Sequence, residues 1–288
     1  MRLFIVALWV LSIVGCGGGG GGDDNEKFHL NSDVMYYAPA TTREEMFDSM
    51  CGGPVWQLPD DIQIGDQIGK SYDLVYNVLH DGTRNSAFWF HPDTPNGKYF
   101  FYHQGHRGDP RTYGMSTING LLAEGYEVVA FQMPDVNAGH NKYNDVEYGL
   151  CVFVEPVIRM LNYLEDKNLA NEVFMVGISG GGWTTSVVAA MDARIKGAYP
   201  VAGGMPGPNN GDFEQRAMVQ VMDLLDQWRL ARRVLAIQNY NDPCCSSGDA
   251  YLTFDAGPNF DAWVDYHNNK HSISKNSLAL IIADAASL

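Results

Sequence analysis

Asn171-Glu172-Val173-Phe174-Met175-Val176-Gly177-Ile178-Ser179-Gly180-Gly181-Gly182-Trp183-Thr184-Thr185 carries the strongest signal in the chain. Residues 173–176 form a short uninterrupted apolar run, the pattern of a strand buried on both faces of a parallel sheet. The run stops at a glycine cluster in which residues 177–181 match G-x-S-x-G, and residues 183–191 beyond it suit a helix. Strand, tight turn and helix in that order present a serine on a strained elbow, with Gly177 and Gly181 leaving room for chain and substrate. Ser179 would then stand at a helix N-terminus, where the N–H of Gly180 and the helix dipole stabilise negative charge on a substrate oxygen. The bare pattern is short enough to arise by chance as a glycine-rich turn, so its weight comes from the strand before it and the helix after it.

Working outward, the amino terminus is the other segment of distinct composition. Met1-Arg2 precede an apolar stretch over residues 3–14, too short to span a bilayer, and residues 1–15 read as an export signal. The stretch ends Ile13-Val14-Gly15-Cys16, which resembles the lipobox of bacterial lipoproteins and makes Cys16 the expected lipidation site. Residues 17–22 are all glycine and Asp23-Asp24 follow, so residues 16–27 read as a lipidated cysteine on a flexible tether. An exported lipoprotein is expected, periplasmic or held at the outer membrane or cell surface. Its membrane contact is the lipid anchor alone, at ~0.8 kcal/mol per buried methylene.

About 270 residues remain after the signal, enough for one domain with a substantial core. The formal net charge of -15 argues against a nucleic-acid partner, whose phosphates demand a basic face. Beyond Cys16 the cysteines are Cys51, Cys151, Cys244 and Cys245, an even number in an oxidising compartment. They predict at least one disulfide and leave the pairing open. The adjacent Cys244-Cys245 lacks the spacing of a zinc site, and neither metal nor cofactor is expected.

Thr42-Arg43-Glu44-Glu45 reads as a capping box opening a short helix that Cys51-Gly52-Gly53-Pro54 ends, within an extension over residues 28–70 expected to pack on the main domain. From residue 71 the pattern changes. Tyr72, Leu74, Tyr76 and Val78 recur at every second position, Asp81-Gly82 marks a turn, and Ala87-Phe88-Trp89-Phe90 is a second strand, so the two pair as an antiparallel hairpin. Further strands are expected over residues 98–102, 127–131, 195–201, 234–238 and 262–266. Helices are expected over 115–124, 150–165 and 212–230 and around Leu278, Leu280, Ile281 and Ile282. Val154, Val157, Ile158, Leu161 and Leu164 share one helical face. An antiparallel start followed by repeated strand–helix units implies an α/β domain over residues 71–288, with a mostly parallel sheet covered by helices on both faces.

A serine hydroxyl is a poor nucleophile at neutral pH unless a histidine takes its proton and a carboxylate orients that histidine. On an elbow of this kind the partners follow the serine in the order acid, then histidine. Of the eight histidines only His267 and His271 lie beyond every candidate acid, since His29, His80, His91, His103, His106 and His140 precede Ser179. His271 is preferred because it falls in a loop before the last helix and can reach across the strand ends, whereas His267 abuts the last strand. For the acid, Asp242 lies in Asn239-Tyr240-Asn241-Asp242-Pro243, where Pro243 keeps it out of helical geometry beyond a strand. Asp212 is the runner-up; Asp223, Asp226, Asp255 and Asp261 suit solvated faces or peripheral loops. The second oxyanion donor is expected from His103-Gln104-Gly105-His106, as the backbone N–H of His106 with Gly105 the alternative. The side chains of His103 and His106 are expected to brace that loop.

Together these features resemble the α/β-hydrolase fold over about residues 71–288. Ser179-Gly180-Gly181-Gly182-Trp183-Thr184-Thr185, Tyr199-Pro200-Val201-Ala202-Gly203-Gly204 and Asn241-Asp242-Pro243-Cys244-Cys245 are similar to exported bacterial esterases, including acetyl-xylan-esterase-like proteins. The resemblance implies a serine carboxylic ester hydrolase working through an acyl-serine intermediate on extracellular esters, acylated carbohydrate or small esters among them. Two alternatives share the fold: a prolyl-oligopeptidase-like serine peptidase, and a non-catalytic lipid-tethered binding protein. A disulfide from Cys244 or Cys245 is expected to hold the acid loop. Trp183 and Tyr240 are candidate pocket walls, with Trp183 equally suited to the core of the helix after the elbow.

Overall fold

The computed structural model describes residues 37–53, 62–68, 72–80, 82–134, 140–204, 212–244 and 248–288. The export signal, the lipidation site Cys16, the glycine tether and Cys245 lie outside the described residues. Nine strands of the described residues form one sheet: β1 (Gln63–Ile68), β2 (Tyr72–Val78), β3 (Arg84–Phe90), β4 (Lys98–His103), β5 (Glu127–Phe131), β6 (Glu172–Ile178), β7 (Ile195–Val201), β8 (Val234–Asn239) and β9 (Phe260–Asp265). They lie in the order β1-β2-β3-β5-β4-β6-β7-β8-β9. The pairs from β1 to β5 along that order are antiparallel, and every pair from β5 to β9 is parallel. The expected hairpin is β2 and β3, in register from Tyr72 opposite Phe90 to Val78 opposite Arg84. β1 is a strand that its own composition did not announce: Gln63-Ile64-Gly65-Asp66-Gln67-Ile68 holds two apolar residues and a glycine. It sits at the sheet edge with its register shifting between Ile64 and Gln67, so pairing with β2 rather than intrinsic propensity makes it a strand.

Seven α-helices of the described residues accompany the sheet: α1 (Arg43–Cys51), α2 (Met115–Ala123), α3 (Glu155–Asp166), α4 (Gly180–Met191), α5 (Phe213–Val221), α6 (Leu224–Leu230) and α7 (Lys275–Ser287). Successive side chains of β4 point to opposite faces. Tyr99 and Phe101 enter one core with Met46 of α1, Val157 of α3 and Val187 of α4. Phe100 and Tyr102 enter a second with Ile118 and Leu121 of α2 and Ile281 and Ala285 of α7. Full burial of each such side chain contributes about 1.5–3 kcal/mol, which is why an apolar run ends as a central strand. Among the described residues, no helix is long and apolar enough to cross a membrane.

α1 starts with the Thr42–Glu45 capping box and ends at Gly52 in the left-handed conformation, φ 70°. Cys51 at its end is disulfide-bonded to Cys151, 100 residues later, and Arg43 donates to the carbonyls of Ala189 (2.9 Å) and Ala190 (2.7 Å) near the end of α4. The described part of the extension is thus fastened to the helix that follows the elbow. Closing so long a loop restricts the unfolded chain by roughly 4–5 kcal/mol in the chain-entropy description. Cys244 is a free, exposed thiol, so of the two cysteines expected to bridge the acid loop it is not the one, and Cys245 lies outside the described residues. Two expected helices are also broken. Met222 is extended and Asp223 caps a new helix by accepting the N–H of Asp226 (3.0 Å), so 212–230 becomes α5 and α6. Pro156 falls in the first turn of α3, and a short 3-10 turn (Cys151–Phe153) precedes it.

The chain leaves β4 for β5 on one side and later fills the other side with β6. The carboxyl ends of β4 and β6 therefore form the switch point at which open α/β sheets bind ligands. His103, the last residue of β4, is level with Gly177, and Ile178 is level with Val201 of β7.

Candidate active site

Ser179 sits directly beyond that switch point. Its backbone is at φ 57° and ψ -127°, a left-handed conformation that costs a non-glycine residue of order 1–3 kcal/mol and is held by its surroundings. Its N–H donates to the Val201 carbonyl (2.9 Å), and its own carbonyl accepts the N–H of Trp183 (3.0 Å) to start α4. Every residue of α4 is buried, and Trp183 packs edge-on against Phe153 with ring centroids 5.9 Å apart, which makes it core rather than pocket wall. Tyr240 is half-buried and packs on Tyr266, centroids 5.0 Å apart.

The loop after β4 lies against the serine. A Cβ added to Gly105 would fall 2.7 Å from Ser179 Cβ and 2.8 Å from the Ile178 carbonyl, so only glycine permits this approach. A Cβ on Gly180 would fall 2.5 Å from His106 Cε1 and Nδ1, so the His106 ring packs directly on the first residue of α4. As the first residue of α4, Gly180 has no helical acceptor for its N–H. Among the described residues no backbone acceptor pairs with the N–H of Gly105 or His106. His103 is fully buried with Nδ1 2.9 Å from the Gln104 carbonyl oxygen, and burial pushes its pKa down to about 4, so it is a neutral brace.

His271 and Asp242 meet. His271 Nδ1 lies 3.0 and 2.9 Å from the two carboxylate oxygens of Asp242, whose side chain is buried. Burial alone would raise the Asp242 carboxyl, but the bonds from His271, the Cys244 N–H (2.8 Å) and Asn239 Nδ2 (3.3 Å) outweigh it and hold its pKa below the ordinary carboxylate value. Among the described residues His271 Nε2 has no hydrogen-bond partner, and Ser179 Oγ makes no direct bond to it; such contacts are often loose before substrate binds. His267 is exposed and donates only its backbone N–H, to Asp265 Oδ1 (3.1 Å).

Sequence reasoning missed the residues that hold this histidine. Asn239 Nδ2 donates to the carbonyls of Lys270 (2.9 Å) and Ser272 (3.1 Å), on either side of His271. Asn268 Nδ2 donates to Asn239 Oδ1 (2.9 Å) and to the Ser272 carbonyl (2.8 Å). The only signal was an asparagine at the end of a strand close to the acid. Asp212, the runner-up acid, is near a different ring, with Oδ2 3.4 Å from His106 Nε2. His106 Nε2 also lies 2.9 Å from Glu214 Oε1, and His140 Nδ1 lies 2.8 Å from Glu214 Oε2. Burial opposes ionisation of Glu214, yet the two imidazoles bring its pKa down to about 2.

The chain matches no family model and no curated protein. Among solved structures it is similar to an acetyl xylan esterase from Paenibacillus sp. R4, at 16% identity over 90% of this chain and 99% of that one, with a TM-score of 0.64. It is similar to acetyl xylan esterase 1 from Thermoanaerobacterium sp. JW/SL YS485, at 13% identity over 90% and 98% of the two chains, with a TM-score of 0.58. A third likeness is Est1E from Butyrivibrio proteoclasticus, at 13% identity over 74% of this chain and 96% of that one, with a TM-score of 0.55. Identities this low carry the fold and not the chemistry. With its mixed sheet, parallel from β5 to β9, helices on both faces and a strand–turn–helix elbow at the switch point, the chain has the α/β-hydrolase fold.

Proposed function

We propose that this chain is a serine carboxylic ester hydrolase acting on extracellular acyl esters, acylated carbohydrate or small esters. The observation that carries the reading is the Asp242–His271 pair, with Nε2 unengaged, on the same end of the sheet as a serine held at φ 57°. In this reading Ser179 Oγ attacks the ester carbonyl carbon while His271 Nε2 takes its proton. Asp242 holds the Nδ1–H and stabilises the imidazolium. The carbonyl oxygen becomes an anion that the N–H groups of Gly180 and His106 receive. Collapse of the tetrahedral intermediate expels the alcohol, which takes the proton from His271 and leaves an acyl-serine. Water, deprotonated by the same nitrogen, then releases the acid. The acetyl xylan esterases among the similar structures favour a short acyl group on a carbohydrate as the first substrate to try.

The test is hydrolysis of p-nitrophenyl acetate, butyrate and a longer-chain ester by the purified protein and its Ser179→Ala variant. A drop of around a millionfold in turnover is expected, the size seen when a serine hydrolase loses its nucleophile. Equal rates in the two proteins would overturn the reading. The same proposal has Cys16 lipidated and the protein held at a membrane surface, so Cys16→Ser is expected to move it from the membrane fraction to the soluble one.

A further inference from the structure

His106, His140 and Glu214 come from three separate stretches: the loop after β4, a short 3-10 helix (His140–Asp145) and the first turn of α5. Glu214 is fully buried and sets one carboxylate oxygen against each ring, and the ligand atoms of all three residues lie within 4.8 Å of one another. The hydrolytic steps use none of these side chains. The cysteine pattern predicts no metal, and the sequence keeps these three residues far apart.

The far nitrogen of His140 decides what the cluster can do. His140 Nε2 lies 3.0 Å from the carbonyl oxygen of Pro134, an acceptor only, so that nitrogen carries a hydrogen. Nδ1 faces the carboxylate of Glu214, so either a second proton on the ring or a cation must stand between the two, inside a site where the side chains are 4% and 0% exposed. Two facing lone pairs repel. A cation between them turns both into ligands, and a backbone carbonyl on the far nitrogen is the outer-shell contact that orients metal-binding histidines. Tetrahedral ligands at metal distances of about 2.0–2.1 Å stand roughly 3.3 Å apart. The nitrogen–oxygen separations of 2.9 and 2.8 Å reach that spacing by shifts of a few tenths of an ångström.

We propose that His106 Nε2, His140 Nδ1 and the Glu214 carboxylate bind one divalent transition-metal ion of the zinc type. Two imidazoles in the set disfavour calcium and magnesium, which take oxygen ligands. Asp212, half-exposed with Oδ2 3.4 Å from His106 Nε2, stands at the rim for the fourth position. The ion is structural: it ties the loop carrying His106, whose ring packs on Gly180, to α5 and to the His140 turn. Its binding does not depend on whether the chain hydrolyses esters.

The test is calorimetric titration of the chelator-stripped protein with Zn2+, and separately with Ca2+. One Zn2+ per chain, a higher Tm with Zn2+, and a tetrahedral visible spectrum with Co2+ are the expected results. His106→Gln changes a ring that is a quarter exposed, and Glu214→Gln keeps the side-chain shape. Each is expected to weaken Zn2+ uptake by more than the roughly 10–100-fold that loss of an outer-shell partner costs. No saturable Zn2+ uptake by the wild-type protein, wild-type affinity in both variants, or Ca2+ bound as tightly as Zn2+ would each overturn the proposal. A second proton on His140, bonding Glu214 directly, would then take the ion's place.

Discussion

Two histidine–carboxylate clusters stand at the same end of the sheet and are built differently. Asp242 holds one ring by its Nδ1 and leaves the other nitrogen of His271 without a partner among the described residues. Glu214 holds two rings, one on each oxygen, and the far nitrogen of His140 is tied to a backbone carbonyl. Solvent sets only His140 apart: its side chain is 4% exposed, against 26% for His271 and 25% for His106. A carboxylate contact therefore orients an imidazole without naming its job. The second nitrogen does that, because a ring moves protons only when one nitrogen can exchange partners.

The largest effect is expected at His271. His271→Ala is expected to cost about a millionfold in kcat, as much as Ser179→Ala, and the double variant no more, since residues acting as a unit are not additive. A small loss would move the base elsewhere, with the second cluster the first place to look. Asp242→Asn keeps the geometry but lets the ring take the wrong tautomer, and a fall of about ten-thousandfold in kcat is expected. Gly105→Ala probes the approach between the β4 loop and the elbow. Its Cβ would meet Ser179 Cβ at 2.7 Å, so the loop must move, and a displacement near 1 Å costs roughly a hundredfold in kcat.

Asn239→Ala is expected to have a smaller effect. It leaves the Lys270 carbonyl without its side-chain donor and the Ser272 carbonyl with Asn268 alone, so a loss of about 1–3 kcal/mol in denaturant unfolding is expected, together with a lower kcat. The smallest effect is on acid stability. The folded Asp242 carboxyl titrates below its unfolded value, so the unfolded chain binds more protons in acid. Its stabilisation is full above the unfolded pKa and is lost as pH falls through the lower folded one. The stability gap between wild type and Asp242→Asn is then expected to narrow below about pH 4, and a gap that stays constant would remove the ionic part of the pair.

The elbow was legible because everything it needs is local: an apolar run, glycines at set offsets, a helix start. The candidate acid and base were narrowed by chain order and Pro243, which left Asp242 with Asp212 behind it, and two histidines, to weigh. β1 was not, because an edge strand becomes a strand through its neighbour. The break between α5 and α6 turned on Asp223, which reads equally as a solvated helix residue or as a cap. Asn239 and Asn268 were invisible as a pair, since Asn239 holds two backbone carbonyls some thirty residues away and Asn268 lies 29 residues from Asn239.

By itself the sequence determined the α/β class, the strand–turn–helix elbow with its serine, and a short set of candidate partners, since each rests on periodicity or on the conformational limits of glycine and proline. The tertiary structure decided which histidine meets Asp242, that the bridge is Cys51 to Cys151 with Cys244 free, that Trp183 is core, and that Glu214 joins two histidines the sequence keeps far apart. Those outcomes depend on contacts between residues distant in the chain. A sheet whose strands change direction of filling between β4 and β6 creates them, and no local pattern encodes the distance between two loops that the sheet brings together.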